Sequence, residues 1–182
     1  MFIQEMTKAE CLTTLARTRL GRLACAHENQ PYIVPIYFVF EKSYLYGFTT
    51  PGQKVEWMRS NPLVCVELDE IVNDTEWMSI IIFGSYKELP ESQEDEEGCN
   101  LERRHAHELL QQYAEWWEPG LASHTHRHPV QPWVPVFYRI RIDKISGRRV
   151  TPSPGGQIRS RAPPWLVRIF HVLFKPFCGW RK

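Results

Sequence analysis

Long apolar runs, paired cysteines and an even spread of charge are all missing from this 182-residue chain. No stretch reaches the roughly 18 consecutive apolar residues that a membrane-crossing helix needs, which excludes a helical membrane-embedded protein. The five cysteines (Cys11, Cys25, Cys65, Cys99 and Cys178) are odd in number, widely spaced and without a C-x-x-C pair. That spacing excludes a zinc ribbon and a disulfide scaffold. Cys25 and Cys65 fall within apolar, strand-like runs, where a free thiol behaves as a small buried hydrophobe. The start, Met1-Phe2-Ile3-Gln4-Glu5, has neither the basic nor the apolar region of a secretory signal, and the reducing cytoplasm is the expected compartment. No G-x-x-x-x-G-K-[ST] loop is present. No Ser/His/Asp grouping or carboxylate pair has a compelling spacing either, so any chemistry must come from a bound cofactor.

The chain holds 43% hydrophobic residues, enough for a real core in one globular domain. Its 22 Lys+Arg and 21 Asp+Glu give a net charge of +1, which argues against a strongly basic nucleic-acid binder, and no nucleic-acid partner is expected. The balance is uneven along the chain. All 21 acidic residues lie in residues 1–143, whereas residues 144–182 carry nine basic side chains and no acidic one.

Thr7-Lys-Ala-Glu10 fits a capping box, and Cys11, Leu12, Leu15 and Ala16 continue it as a helical stripe ending before Gly21. Strand patterns follow at Arg22–Ala26, Tyr32–Phe40, Tyr44–Thr49, Leu63–Leu68, Trp77–Leu89 and Val134–Ile145, with a short helix at Val55–Arg59. Tyr32–Phe40 is apolar at both alternating sets, so both its faces should be covered, as in a barrel wall or an interface. Residues 100–118 read as a helix with Leu101, His105, Leu109 and Tyr113 on one face. The last strand sets Val134, Val136, Tyr138, Ile140 and Ile142 against Arg139, Arg141 and Asp143. Six closely spaced strands with few helices predict a mainly β fold, a six-stranded antiparallel barrel with peripheral helices.

One segment suggests chemistry. In Tyr44-Leu-Tyr-Gly-Phe-Thr-Thr-Pro-Gly-Gln-Lys54 a strand runs through two hydroxyl residues and Pro51-Gly52 into a helix bearing Lys in its first turn. Free N–H groups, hydroxyl donors and a mobile ammonium together suit a phosphate monoester. On spacing alone, the same residues also read as a surface loop with an ordinary lysine.

The order of motifs goes further. Gly21-Arg-Leu-Ala, Pro31-Tyr-Ile-Val-Pro-Ile-Tyr-Phe, Thr49-Thr-Pro-Gly-Gln-Lys, Val64-Cys-Val-Glu, Trp77-Met-Ser-Ile-Ile-Ile-Phe-Gly and Pro135-Val-Phe-Tyr-Arg-Ile-Arg-Ile-Asp-Lys-Ile-Ser-Gly-Arg follow one another between Thr7 and Val150. This resembles the pyridoxamine 5′-phosphate oxidase-like flavin-binding proteins, in the branch that includes nitroimidazole reductase-like members. The resemblance implies a split β-barrel over residues 1–150, a homodimer with FMN in clefts at the interface, and an oxidoreductase acting on a small-molecule substrate. It implies that Lys54 meets the flavin phosphate with Thr49, Thr50 and Gln53. It also implies that Ile33, Val34, Pro35 and Ile36 run beside the ring, that Phe48 walls it, and that Trp77 and Ser79 border the same pocket. Gln53 stands where many nitroimidazole reductase-like members carry His, so an imidazole implied for their substrate chemistry is absent. The C-terminal Trp- and Arg-His-containing signature of true pyridoxamine phosphate oxidases is absent too, so vitamin B6 oxidation is not implied. The same barrel leaves room for a deazaflavin, for a non-catalytic flavin-binding module, or for a haem-binding or haem-degrading protein.

Two further stretches stand outside that frame. His124-Thr-His-Arg-His128 places His124, His126 and His128 at alternate positions, conceivable as metal or haem ligands but more simply a solvated loop, and no metal site is expected. Residues 151–182 comprise a Pro/Gly-rich linker and a tail, 159–182, containing Trp165-Leu-Val-Arg-Ile-Phe-His-Val-Leu-Phe-Lys-Pro-Phe177. Its basic and aromatic composition suits either a membrane surface or a protein partner.

Overall fold

A single strand near the end of the barrel sequence organises the sheet. In the computed structural model, which describes residues 2–90, 97–113 and 135–151, β8 (Val136–Thr151) pairs antiparallel with three other strands. Its first half lies between β5 (Tyr44–Thr49) and β7 (Glu76–Leu89), and its second half between β7 and β1 (Phe2–Met6). The remaining strands are β2 (Leu20–His27), β3 (Gln30–Tyr37), β4 (Val39–Glu41) and β6 (Leu63–Asn73). Together they give the order β3-β2-β6-β7-β8-β5-β4, with β1 on β8.

β3 and β4 end this path on opposite sides, yet only Phe38 separates them in the chain. The sheet must therefore curl until its edges meet. Phe38 is buried in the interior where they do, and β3 touches β5 without joining it in the ladder. The result is an antiparallel barrel split along that seam. A bulge at Phe83/Gly84 helps the bend, and Gly84 has no room for a Cβ against the Arg141 carbonyl.

All six expected strands are present. The structure adds β1 and divides Tyr32–Phe40 in two at Phe38, giving eight. Tyr32–Phe40 is not covered on both sides throughout: Ile36 is buried while Ile33 is 64% exposed. β6 runs on past Leu68 to Asn73, and its extension carries exposed apolar side chains.

Helix α1 (Lys8–Arg17) starts with the expected capping box, the Thr7 hydroxyl accepting from the Glu10 N–H while the Glu10 carboxylate accepts from the Thr7 N–H at 2.7 Å. Helix α2 (Gln53–Ser60) buries Val55 and Met58 against the barrel core. Helix α3 (Glu97–Gln111) covers a second apolar cluster of Val39, Tyr46, Leu89 and Phe137. Its buried positions are Ala106 and Leu110, whereas Leu101 and Tyr113 of the expected stripe are exposed. The contact face is thus shifted by one residue from the expected stripe. Trp116, Trp117, the His124–His128 stretch and residues 152–182 lie outside the described residues.

Candidate functional site

β5 ends at Thr49, and Thr50-Pro51-Gly52 carries the chain into α2. The Thr49 hydroxyl donates to the Thr50 carbonyl at 3.3 Å. Gly52 is the N-cap and brings no side-chain cap, although its carbonyl accepts from the Val55 and Glu56 N–H groups at 2.9 and 3.1 Å. A Cβ on Gly52 would meet nothing within 4 Å, so the opening turn of α2 faces open space. Its first N–H groups, with the positive end of the helix dipole, are left for an acceptor from outside.

Lys54 sits in that turn, half-buried. Burial holds its ammonium below the ordinary lysine pKa, with Cys25 pulling weakly the other way. No carboxylate pairs with Lys54 among the described residues. Cys25, on the inward face of β2, has its thiol pushed up by burial and drawn down by Lys54. A cation that has lost part of its hydration and gained no counter-charge is a poor structural choice and a good anion receptor.

The other end of α2 is firmly held. Arg59 makes two 2.8 Å hydrogen bonds to Glu88 on β7, and Asn61 donates to the Ala26 carbonyl at 3.0 Å. Trp57, one turn after Lys54, packs against Tyr32 and His27 at ring separations of 5.6 and 5.8 Å, and His27 Nδ1 lies 3.0 Å from the Ser60 hydroxyl. The helix is thus anchored at its C-terminal half and open at its N-terminal half. Arg59 beside Glu88 holds that carboxyl below its usual range.

β3 borders the same region, since Tyr32 touches Trp57 and pairs with Cys25 across the β2–β3 ladder. Ile33 and Pro35 point outward, while Val34 and Ile36 turn toward the core. As the outermost strand of the sheet path, β3 presents backbone groups along an edge without a ladder partner among the described residues. Thr49, Thr50, Gln53 and Lys54 therefore stand together at the junction of β5 and α2, with the β3 segment close to the helix that carries Lys54.

The remaining three candidates have other neighbours. Phe48 packs on Phe137 at 6.0 Å within the cluster under α3. Trp77 and Ser79 line two clefts on the outer sheet face, of about 580 and 620 Å³. The first also holds Arg22, Glu67 and Asp69; Arg22 is ion-paired to both carboxylates, and Ser79 donates to Glu67 at 3.3 Å. Lys54 lines neither cleft. Sequence reasoning did not single out Cys25, Tyr32 and Trp57 as neighbours of Lys54. Trp57 could have been found from its i+3 spacing to Lys54 on one helix face.

Fold and site thus define an antiparallel split-barrel protein with an uncapped, lysine-bearing helix start at its seam. The chain belongs to the pyridoxamine 5′-phosphate oxidase family, which matches residues 7–149. An uncharacterized protein of Rhizobium meliloti strain 1021 is 39% identical over 148 residues, spanning 81% of this chain and 95% of its own. The crystal structure of an FAD-binding protein from Mesorhizobium loti aligns with a TM-score of 0.66 and 40% identity, covering 83% of this chain and all of that one. The FAD-binding protein of Mycobacterium smegmatis shares the fold, with a TM-score of 0.53, 21% identity and coverage of 81% of this chain and all of that one.

Proposed function

We propose that this chain binds a flavin nucleotide at the seam and works as a flavin-dependent oxidoreductase on a small molecule. The observation that carries the reading is Lys54: a half-buried ammonium, without a carboxylate partner among the described residues, in the uncapped first turn of α2. Open space at Gly52 gives a phosphate access to the backbone, so the residues present fit the group. Lys54 and the free N–H groups would hold the phosphate, with Thr49, Thr50 and Gln53 as further polar contacts. The edge of β3 at Ile33–Ile36 would orient the ring through backbone groups. Bound flavin supplies two-electron exchange with a donor and an acceptor; the chain supplies anchoring, orientation and a partly dry wall.

The family resemblance implies FMN, whereas the 40% identical Mesorhizobium loti protein supports FAD. Both carry the phosphate next to the ribityl chain that Lys54 would meet. A homodimer belongs to the same reading. The outward row Ile33–Ala24–Cys65–Phe83 across β3, β2, β6 and β7 includes exposed Ile33 and Phe83, a surface suited to a second copy. Trp77 and Ser79 line clefts that do not include Lys54, and the same cleft on a second copy would supply a second wall.

Purified protein should show an oxidised-flavin spectrum that bleaches on anaerobic addition of reduced nicotinamide. Chromatography of the released cofactor then separates FMN from FAD and from a deazaflavin. A colourless protein that takes up neither flavin overturns the reading, a Soret band replaces it with haem, and flavin that no donor reduces leaves a binding module without turnover.

A further inference from the structure

β7 and β8 turn unlike faces to the outside of the barrel. At alternate positions of β7, Trp77, Ile81 and Phe83 are apolar and only Ser79 is polar; Phe83 is 50% exposed. The matching positions of β8 are Lys144, Ser146 and Arg148, all exposed. The ladder sets Phe83 against Lys144, Ile81 against Ser146 and Ser79 against Arg148, and directly opposed residues share a face of the sheet. An apolar strip therefore runs beside a cationic one. Here lies the cleft of about 620 Å³ that Trp77 and Ser79 border, lined also by Ile81, Phe83, Ser146 and Arg148. Its size and its apolar wall with a few polar groups suit a small organic molecule.

The charge on this face selects the kind of molecule. Lys144 and Arg148 form no ion pair among the described residues, and Glu5 faces Arg148 across the β1–β8 ladder without pairing with it. The neighbouring carboxylates are taken: Arg22 holds Glu67 and Asp69, Arg141 holds Asp143, and Arg149 holds Glu10. Two unpaired cations thus stand against one carboxylate, Glu5. The Ser79 hydroxyl is already donated to Glu67, which leaves that of Ser146 to donate. A guanidinium and a hydroxyl on alternate residues of one strand lie within reach of one carboxylate group. We propose that this cleft binds a small amphipathic anion, an aryl or alkyl carboxylate, with its apolar body along Ile81 and Phe83 and its charge between Arg148 and Ser146. The site goes beyond the flavin reading and does not depend on it, since Lys54 is not in the lining.

Flavin-free full-length protein is titrated with anilinonaphthalene sulfonate and, separately, with phenylnaphthylamine, which has the same rings without the sulfonate. The anion should bind at one site per chain and roughly tenfold more tightly than the neutral probe. Octanoate should displace it at a lower concentration than octanol does. Arg148→Gln should weaken the anion roughly fivefold to tenfold and leave the neutral probe unchanged, which also reports an intact fold. Ile81→Ser should weaken both probes. Equal affinity for the two probes, or wild-type affinity for the anion in Arg148→Gln, overturns the inference. So does loss of anion binding in Lys54→Met, which would put the probe at the seam instead. Anion affinity that falls as protein concentration and light-scattering mass rise together overturns it as well, by assigning the cleft to an interface between copies. Flavin affinity enters none of these readouts, so the two readings fail separately.

Discussion

Replacing Lys54 by Met keeps the length and apolar stem of the side chain and removes only the ammonium. Two opposite effects should follow. A charge-assisted hydrogen bond to a phosphate contributes about 1.5–3 kcal/mol, so affinity for FMN or FAD should fall about tenfold to hundredfold. Burial already disfavours the ammonium in the free protein, and no carboxylate among the described residues offsets that, so the melting temperature of the flavin-free variant should hold or rise. The assay is titration of flavin-free protein followed by flavin fluorescence, with riboflavin as the control that lacks the phosphate. Riboflavin affinity should be the same for both proteins. The pH dependence carries the same sign. The native pKa of Lys54 lies below its unfolded value, so the unfolded chain binds more protons between the two, and the flavin-free protein gains stability as pH rises through that window. Phosphate affinity falls over the same window as the ammonium is lost. An unchanged flavin affinity in Lys54→Met, or an equal loss for riboflavin, would refute the assignment of Lys54 to the phosphate.

Two other outcomes test the frame around the site. The Tyr138 hydroxyl is fully buried above Gly47 and has no hydrogen-bond partner among the described residues, so Tyr138→Phe should leave stability unchanged or raise it by up to about 1–2 kcal/mol in urea unfolding; a clear loss would reveal a partner. Glu88→Gln breaks the pair that anchors α2 and, at half-exposed Arg59, should cost about 0.5–1 kcal/mol. Because Glu88 has a lowered native pKa, that contribution is present above the ordinary carboxylate value and is lost as pH falls through the native one. The difference between wild type and variant should therefore vanish in acid.

Much of this architecture was legible because local chemistry and tertiary environment agreed. Thr7 and Glu10 fix the start of α1 through atoms three residues apart, and the alternation of Tyr138 and Ile140 with Arg141 and Asp143 survives in β8 as buried against exposed. Less was legible where a face is decided by something distant in sequence. Phe48 lies under α3, and nothing in β5 announces which side that helix covers. β1 has almost no buried position and exists through its ladder with β8 about 145 residues away, so no periodicity marks it. Lys54 could be singled out from its loop, but its lack of a counter-charge among the described residues is a property of the folded neighbourhood.

The pairing of β1 with the end of β8 makes the barrel cyclic in space: the first and last strands are neighbours. Closing a loop of that length costs entropy that only the finished sheet repays, and β8 also serves β5 and β7. Folding of this domain is therefore governed by its slowest, most distant contact. During synthesis β2, β3, β6 and β7 can form their ladders, but the barrel has no closed wall until β8 emerges. Until then the seam that would hold the phosphate lacks one of its sides.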